Sequence, residues 1–234
     1  MFKITNFRKF GLVLAMFAVV ALGSSTAAKA DNATFQLNTG STLPNQNYGT
    51  LNLVLNGNGS ITVTINLIDG NRIIETGQNV SIGFNSSLGT NPAISISGLP
   101  AGYTFNAAEA PGAFGANGFG TVEYRIRSTF GANDAGALSN LSFTVFCTSC
   151  AGGVFSSVFD LVSNSTNPPG THQTPFAIDI FCPTCNGGQG STGFIGTGDP
   201  TTPTPEPASM ILLGSGLIGV AGAARRKLKA RSAK

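Results

Sequence analysis

Apolar residues recur at every second position through much of the middle of the chain. Ile61, Val63, Ile65 and Leu67 alternate with Thr62, Thr64 and Asn66, and Val122, Tyr124 and Ile126 alternate with Glu123, Arg125 and Arg127. A period of two gives each segment one apolar and one polar face, as in a strand half-buried in a sheet. Similar runs fall at residues 34–37, 50–55, 79–84, 93–97, 141–146, 154–162 and 176–181, separated by turn clusters such as Asn56-Gly57-Asn58-Gly59 and Asp69-Gly70-Asn71. Asn, Asp and Gly accept positive φ at little cost, which suits tight reversals between strands. The pattern predicts an all-β body over residues 31–185, an antiparallel β-sandwich of jelly-roll or immunoglobulin-like character. Residues 107–120 read as a long loop. Residues 186–204, nearly all Gly, Thr, Pro and Ser, read as a flexible linker.

Both ends depart from this pattern. Lys3, Arg8 and Lys9 precede an apolar run over residues 10–23, followed by Ser24, Ser25 and Thr26 and then Ala28-Lys29-Ala30. A charged start, a short apolar stretch and an A-x-A site make residues 1–30 a secretory signal peptide, with Ala28 and Ala30 marking cleavage before Asp31. As a helix the apolar run rises only about 21 Å, short of the roughly 30 Å hydrocarbon core of a bilayer. At the other end Pro205, Glu206 and Pro207 lead into seventeen uncharged residues, 208–224, closed by Arg225, Arg226 and Lys227 at the head of a basic tail over 225–234. The uncharged stretch is at the short limit for a transmembrane helix. The basic cluster acts as a stop-transfer signal that stays cytoplasmic and leaves the body on the far side.

This three-part end resembles the PEP-CTERM sorting signal of exported bacterial proteins, with the motif at Pro205, Glu206 and Pro207, the helix after it and the basic tail last. The resemblance implies processing by an exosortase, a membrane-embedded cysteine transpeptidase-like enzyme, in a Gram-negative envelope, often in species that make extracellular polysaccharide. With the leader it implies export by the Sec machinery, transient anchoring in the inner membrane and a final location at the cell surface or outside the cell. It covers about thirty of the 234 residues and concerns sorting alone.

Charge sharpens the division. The chain has 13 Lys and Arg against 10 Asp and Glu, a net charge of +3. Between residues 31 and 205, however, only Arg72, Arg125 and Arg127 face nine acids, a net charge of −6. Such a body has no basic stripe with which to meet a phosphate backbone, so no nucleic-acid partner is expected. Charged residues make up 10% of the chain against a usual figure of about 25%; the body's surface must be built of hydroxyls and amides.

Chemistry within the body concentrates in four cysteines. Phe146-Cys147-Thr148-Ser149-Cys150-Ala151-Gly152-Gly153 and Phe181-Cys182-Pro183-Thr184-Cys185-Asn186-Gly187-Gly188 are near-copies, each following a strand-like run. An oxidising destination favours two structural disulfides. A four-thiolate zinc site and a redox pair are the alternatives, although the interval between the motifs is long for zinc and no thioredoxin-like βαβ pattern flanks either motif. Connectivity stays open, since four cysteines allow three pairings. The repeated context suggests that the motifs lie side by side at strand ends.

No catalytic constellation stands out: His172 is the single histidine, in a Pro/Gly/Thr loop, and no G-x-S-x-G elbow occurs. With no Trp, only Tyr48, Tyr103 and Tyr124 offer stacking platforms for sugar rings. The expectation is a protein that is not an enzyme and carries no cofactor or metal, a structural or adhesive surface or matrix protein. Its expected partners are exopolysaccharide in a biofilm or neighbouring copies of itself. The alternative is an envelope enzyme, either a polysaccharide hydrolase or a C-x-x-C thiol-redox or zinc protein.

Overall fold

The computed structural model describes residues 32–88, 92–164 and 172–198. The leader with Ala28 and Ala30, the motif Pro205-Glu206-Pro207, the predicted membrane helix 208–224 and the cluster Arg225-Arg226-Lys227 lie outside the described residues. Among the described residues no helix is long and apolar enough to cross a membrane.

Thirteen strands are described: β1 (Asn32–Gly40), β2 (Gly49–Leu55), β3 (Ile61–Leu67), β4 (Arg72–Ile73), β5 (Ile82–Phe84), β6 (Ile94–Ser97), β7 (Tyr103–Phe105), β8 (Phe114–Ala116), β9 (Gly120–Val122), β10 (Tyr124–Ser128), β11 (Asn140–Cys147), β12 (Phe176–Cys182) and β13 (Ser191–Thr197). Ten form a continuous path β6-β11-β3-β2-β1-β13-β12-β5-β10-β7, with β4 added on β12, and β8 pairs with β9 as a separate ribbon. Every pairing is antiparallel. The all-β antiparallel expectation therefore holds. Strand spacing predicts a sandwich of two sheets; the pairing joins eleven strands in one sheet beside the small ribbon. Its edge strands, β6 and β7, are consecutive in the chain and joined by residues 98–102. So short a link reaches about 20 Å at most, so the edges lie near one another and the sheet is nearly closed, like a barrel.

Alternation in the sequence becomes alternation in space. Leu51, Leu53, Ile61, Val63 and Ile65 are fully buried in one core, which also takes residues from β1, β5, β10, β11 and β12. An aromatic series crosses this interior: Phe84 stacks on Tyr124 at 5.3 Å and on Phe176 at 5.5 Å, and Phe176 meets Phe35 at 6.5 Å. The turn between β3 and β4 has positive φ at Asp69 (56°) and Gly70 (73°), closed by a 3.0 Å bond from the Asn71 N–H to the Ile68 carbonyl. Positive φ at both central residues is the type I′ pattern, which Asp and Gly tolerate.

Three segments differ from expectation. The linker over 186–204 contains β13, which sits between β1 and β12 in the middle of the sheet. Its glycines have a packing cause: a Cβ on Gly193 would meet Thr42 Oγ1 at 2.4 Å, and one on Gly196 would meet the Phe119 ring at 2.5 Å. The long loop over 107–120 contains β8 and runs into β9. Residues of that ribbon, Ala116, Phe119 and Val122, pack with Val80, Ala177 and Phe194 as a second small core on the opposite face of the sheet from the main one. The strand expected at 154–162 is instead a 3-10 turn, Val158–Leu161, started by a capping box in which Ser157 accepts from the Phe159 N–H and Asp160 accepts from the Ser157 N–H. Here side-chain bonds to backbone outcompete the ladder.

Because Phe84 sits at the crossing of two ring stacks, Phe84→Ala should destabilise the body by about 3–5 kcal/mol, seen as a lower urea midpoint. A loss below about 1 kcal/mol would show that the stack does not organise the core.

Candidate functional site

The two cysteine motifs adopt one conformation twice. Cys147 bonds Cys150 and Cys182 bonds Cys185, and no cysteine is free. Each first cysteine ends a strand, β11 or β12. Each second cysteine is extended (φ −67° and −70°) and enters a short 3-10 turn that contains a left-handed glycine, Gly152 (φ 72°) or Gly187 (φ 68°). The turn closes through Gly153 N–H to the Cys150 carbonyl at 2.8 Å and Gly188 N–H to the Cys185 carbonyl at 3.2 Å. Left-handed φ explains the glycines of both motifs. The disulfide reading stands and the pairing is within each motif, so all four sulfurs are bonded to one another. The motifs do not lie side by side. Five antiparallel steps separate β11 from β12, an odd number, so the two strands point in opposite directions and their disulfides close opposite ends of the sheet.

Ionic groups gather on the other half of the molecule. Arg125 pairs with Glu109, and its guanidinium lies 4.1 Å from the centre of the Phe114 ring. Arg127 pairs with Glu75 at 3.1 Å and donates to Asn79 at 2.8 Å. With Thr104 and Asn106, the residues Glu109, Arg125 and Arg127 line a cleft of about 200 Å³. Arg72 lies over the Phe181 ring and donates to the Asp134 carbonyl. Each arginine of the described body thus has a partner.

Asp179 is the buried acid. Its Oδ2 accepts from the Thr76 N–H and hydroxyl, both at 2.7 Å, while Oδ1 has no hydrogen-bond partner among the described residues. Burial pushes its carboxyl up to about 6; the two Thr76 bonds oppose the shift and the nearby Glu75 charge adds to it. Nothing in the strand alternation marked this residue, since Asp179 occupies an outward position of β12 and becomes buried only because the chain before β5 crosses over it.

The opposite half presents a plain surface. None of the ten charged residues among those described lies on β1, β2, β3, β6 or β11. Their outward positions carry Thr, Asn, Ser and Gln except for Val54 and Phe146, and pairing brings them into rows. Thr34, Asn52, Thr64 and Ser142 stand side by side across four strands, as do Gln36, Thr50, Asn66 and Asn140. Neighbours bond within the rows: Thr34 Oγ1 donates to Asn52 Oδ1 at 2.8 Å, and the Thr64 and Ser142 hydroxyls are 3.1 Å apart.

The expected aromatic platforms are absent from every surface. Tyr48, Tyr103 and Tyr124 are core residues whose hydroxyls donate to the carbonyls of Pro44, Ile73 and Pro92. Exposed His172 borders a cleft of about 470 Å³ that no described acid lines.

A mostly closed antiparallel β-body with two end disulfides and a largely uncharged face defines an all-β domain. The more particular finding concerns the end of the chain: residues 203–227 match the family model of the PEP-CTERM protein-sorting motif. The match contains Pro205, Glu206, Pro207, Arg225, Arg226 and Lys227, and it implies exosortase-dependent sorting of an exported protein. Comparison with curated proteins and with solved structures found no match.

Two measurements check this chemistry. Titration of the native protein with a thiol reagent should find no reactive cysteine, and removing either bridge, as in the pair Cys182→Ser and Cys185→Ser, should lower stability by about 2 kcal/mol, the value for so short a loop. For Asp179, a native pKa above the unfolded one means that the native state holds the proton more tightly. Its contribution therefore improves as pH falls from about 6 to about 4 and is least favourable above about 6. Asp179→Asn keeps an oxygen for Thr76 and removes the charge. The variant should gain on the wild type by up to about 3 kcal/mol at pH 8, with the gain vanishing near pH 4 in urea unfolding. A difference independent of pH would refute the assignment.

Proposed function

We propose that this is an exported, exosortase-sorted surface or matrix protein whose role is structural or adhesive rather than enzymatic, exercised in association with extracellular polysaccharide. The observation that carries the reading is the sorting motif at residues 203–227. In this reading the leader 1–30 takes the chain through the Sec machinery. The helix 208–224 holds it in the inner membrane with Arg225, Arg226 and Lys227 inside, and the exosortase acts at the Pro205-Glu206-Pro207 segment before release to the surface. The character of the body supports the rest: two of its three arginines are held by acids, its cysteines are bonded in pairs, and half of its sheet offers mostly hydroxyls and amides to the outside.

A host strain lacking the exosortase provides the test. In the parent, the protein should be found outside the cell, shortened at its C-terminal end and fractionating with matrix polysaccharide. In the deficient strain it should stay with the membrane at higher mass, and Glu206→Ala in the parent should move it the same way. Equal mass and location in both strains would reject the sorting reading; release without matrix association would reject the adhesive one.

A further inference from the structure

We infer that the outward face of β6, β11, β3, β2 and β1 is a docking surface for an uncharged, extended polysaccharide chain. The inference deepens the proposed function and rests on it, since it names the face and the ligand chemistry. Charge is the first argument. All ten charged residues of the described body lie off these five strands, so a ligand bearing carboxylates or sulfates finds no cation there. The arginines it would need are on the other half and already engaged with Glu109, Glu75 and the Phe181 ring.

Donor and acceptor inventory is the second. Thr and Ser hydroxyls and Asn and Gln amides each donate and accept, as the hydroxyls of a neutral sugar chain do. The rows Thr34–Asn52–Thr64–Ser142 and Gln36–Thr50–Asn66–Asn140 repeat at about 4.8 Å across the strands and about 7 Å along them. A ligand that itself repeats can meet several such groups at once. With all three tyrosines in the core and Phe146 the one outward ring on these strands, attachment relies mainly on hydrogen bonds. Each contact is weak, and retention comes from many copies of the protein meeting many repeats of one polymer.

Area argues against a second copy of the chain as the occupant. Five strands and three rows have a footprint of about 500 Å², short of the roughly 800 Å² per partner that a stable protein interface buries. Its two apolar side chains, Val54 and Phe146, stand on β2 and β11 with β3 between them and do not make the apolar centre of such an interface.

The test uses the processed protein released by its own host and three insoluble neutral probes, amorphous cellulose, agarose and cross-linked dextran, against calcium alginate as the acidic one. Wild type should be retained on at least one neutral probe and not on alginate. The double variant Ser142→Asp with Asn140→Asp, at two exposed positions of β11, should lose roughly tenfold in affinity for that probe. Asn133→Asp, which places a negative charge on an exposed turn away from the face, should leave it unchanged. Each single variant, Ser142→Asp or Asn140→Asp, should weaken it at that same charge change. Ser142→Lys, the opposite charge at the same place, should also weaken neutral binding and gain retention on alginate; thermal melts confirm that each variant is folded. Binding to no neutral probe, preference for alginate, or face variants that bind like wild type would overturn the inference. If the wild type still fractionates with the host matrix in those cases, the proposed function survives; if it does not, both fall.

Discussion

The pairing of β1 with β13 is the constraint on which the rest of the structure depends. Leu37 faces Thr197, Thr39 faces Gly196 and Gly40 faces Ile195, with a register shift between Leu37 and Thr39. On one side of this seam stand β1, β2, β3, β11 and β6; on the other stand β13, β12, β5, β10 and β7. Among the described residues no other ladder joins the two groups, and without it they would be held by side-chain packing and isolated backbone bonds such as that from the Ile73 N–H to the Leu138 carbonyl. The seam is reinforced at both ends, where Ser41 N–H donates to the Phe194 carbonyl at 2.9 Å and Gly198 N–H to the Gln36 carbonyl at 3.0 Å. Thr174, whose hydroxyl donates to the Phe176 carbonyl and accepts from the Thr197 N–H, ties the last turn of β13 to the start of β12. Contacts between strands so distant in sequence carry a large loop-closure entropy, which the burial of Phe35, Leu37 and Ile195 along the seam offsets.

Much of this architecture was legible because half-buried strands write their burial into the sequence. β1, β2, β3, β10, β11 and β12 alternate as expected, and their inner faces make the core. β13 hid for the opposite reason. Flanked by β1 and β12 and crossed on its outer face by Phe119, it needs small residues at Gly193 and Gly196, and a strand rich in Gly and Thr looks like a linker. That omission has a topological consequence. Adding or removing one antiparallel strand reverses the end of the sheet at which β12 finishes, so the relation between the two cysteine motifs could not be judged without β13. The pairing of each motif within itself was likewise unreadable, since spacing alone permits three connectivities. Residues 154–162 misled for a local reason: Ser157 and Asp160 satisfy backbone N–H groups that a strand would have given to a neighbour.

The two halves meet water differently, and this difference organises the functional argument. On the half containing β5, β12 and β13, the ribbon of β8 and β9 and the chain before β5 cover the outer face. Every residue of β5 is buried, as are Ala177 and Asp179 at outward positions of β12. Enclosure raises the pKa of Asp179, and Arg125 and Arg127 pair with Glu109 and Glu75 at its margin. The other half has a single buried face. Its outward side chains support the sheet against solvent with no ion pairs among the described residues, and they bond to one another across strands, as Thr34 does to Asn52 and Thr64 to Ser142.

A more usual solution places Lys and Glu on such a face, where opposite charges support neighbouring strands and net charge keeps molecules apart. Its absence over five adjacent strands has a physical consequence: the face neither attracts nor repels ions, and its interactions change little with salt. For a chain that carries an export and sorting address, the proposed neighbour is itself an uncharged, hydroxyl-rich polymer. Charged groups there would retain their hydration shells and hold the polymer off, whereas hydroxyls and amides exchange water for sugar at little net cost. The half of the sheet that is least protected by its own fold is therefore the half best matched to being covered by something else.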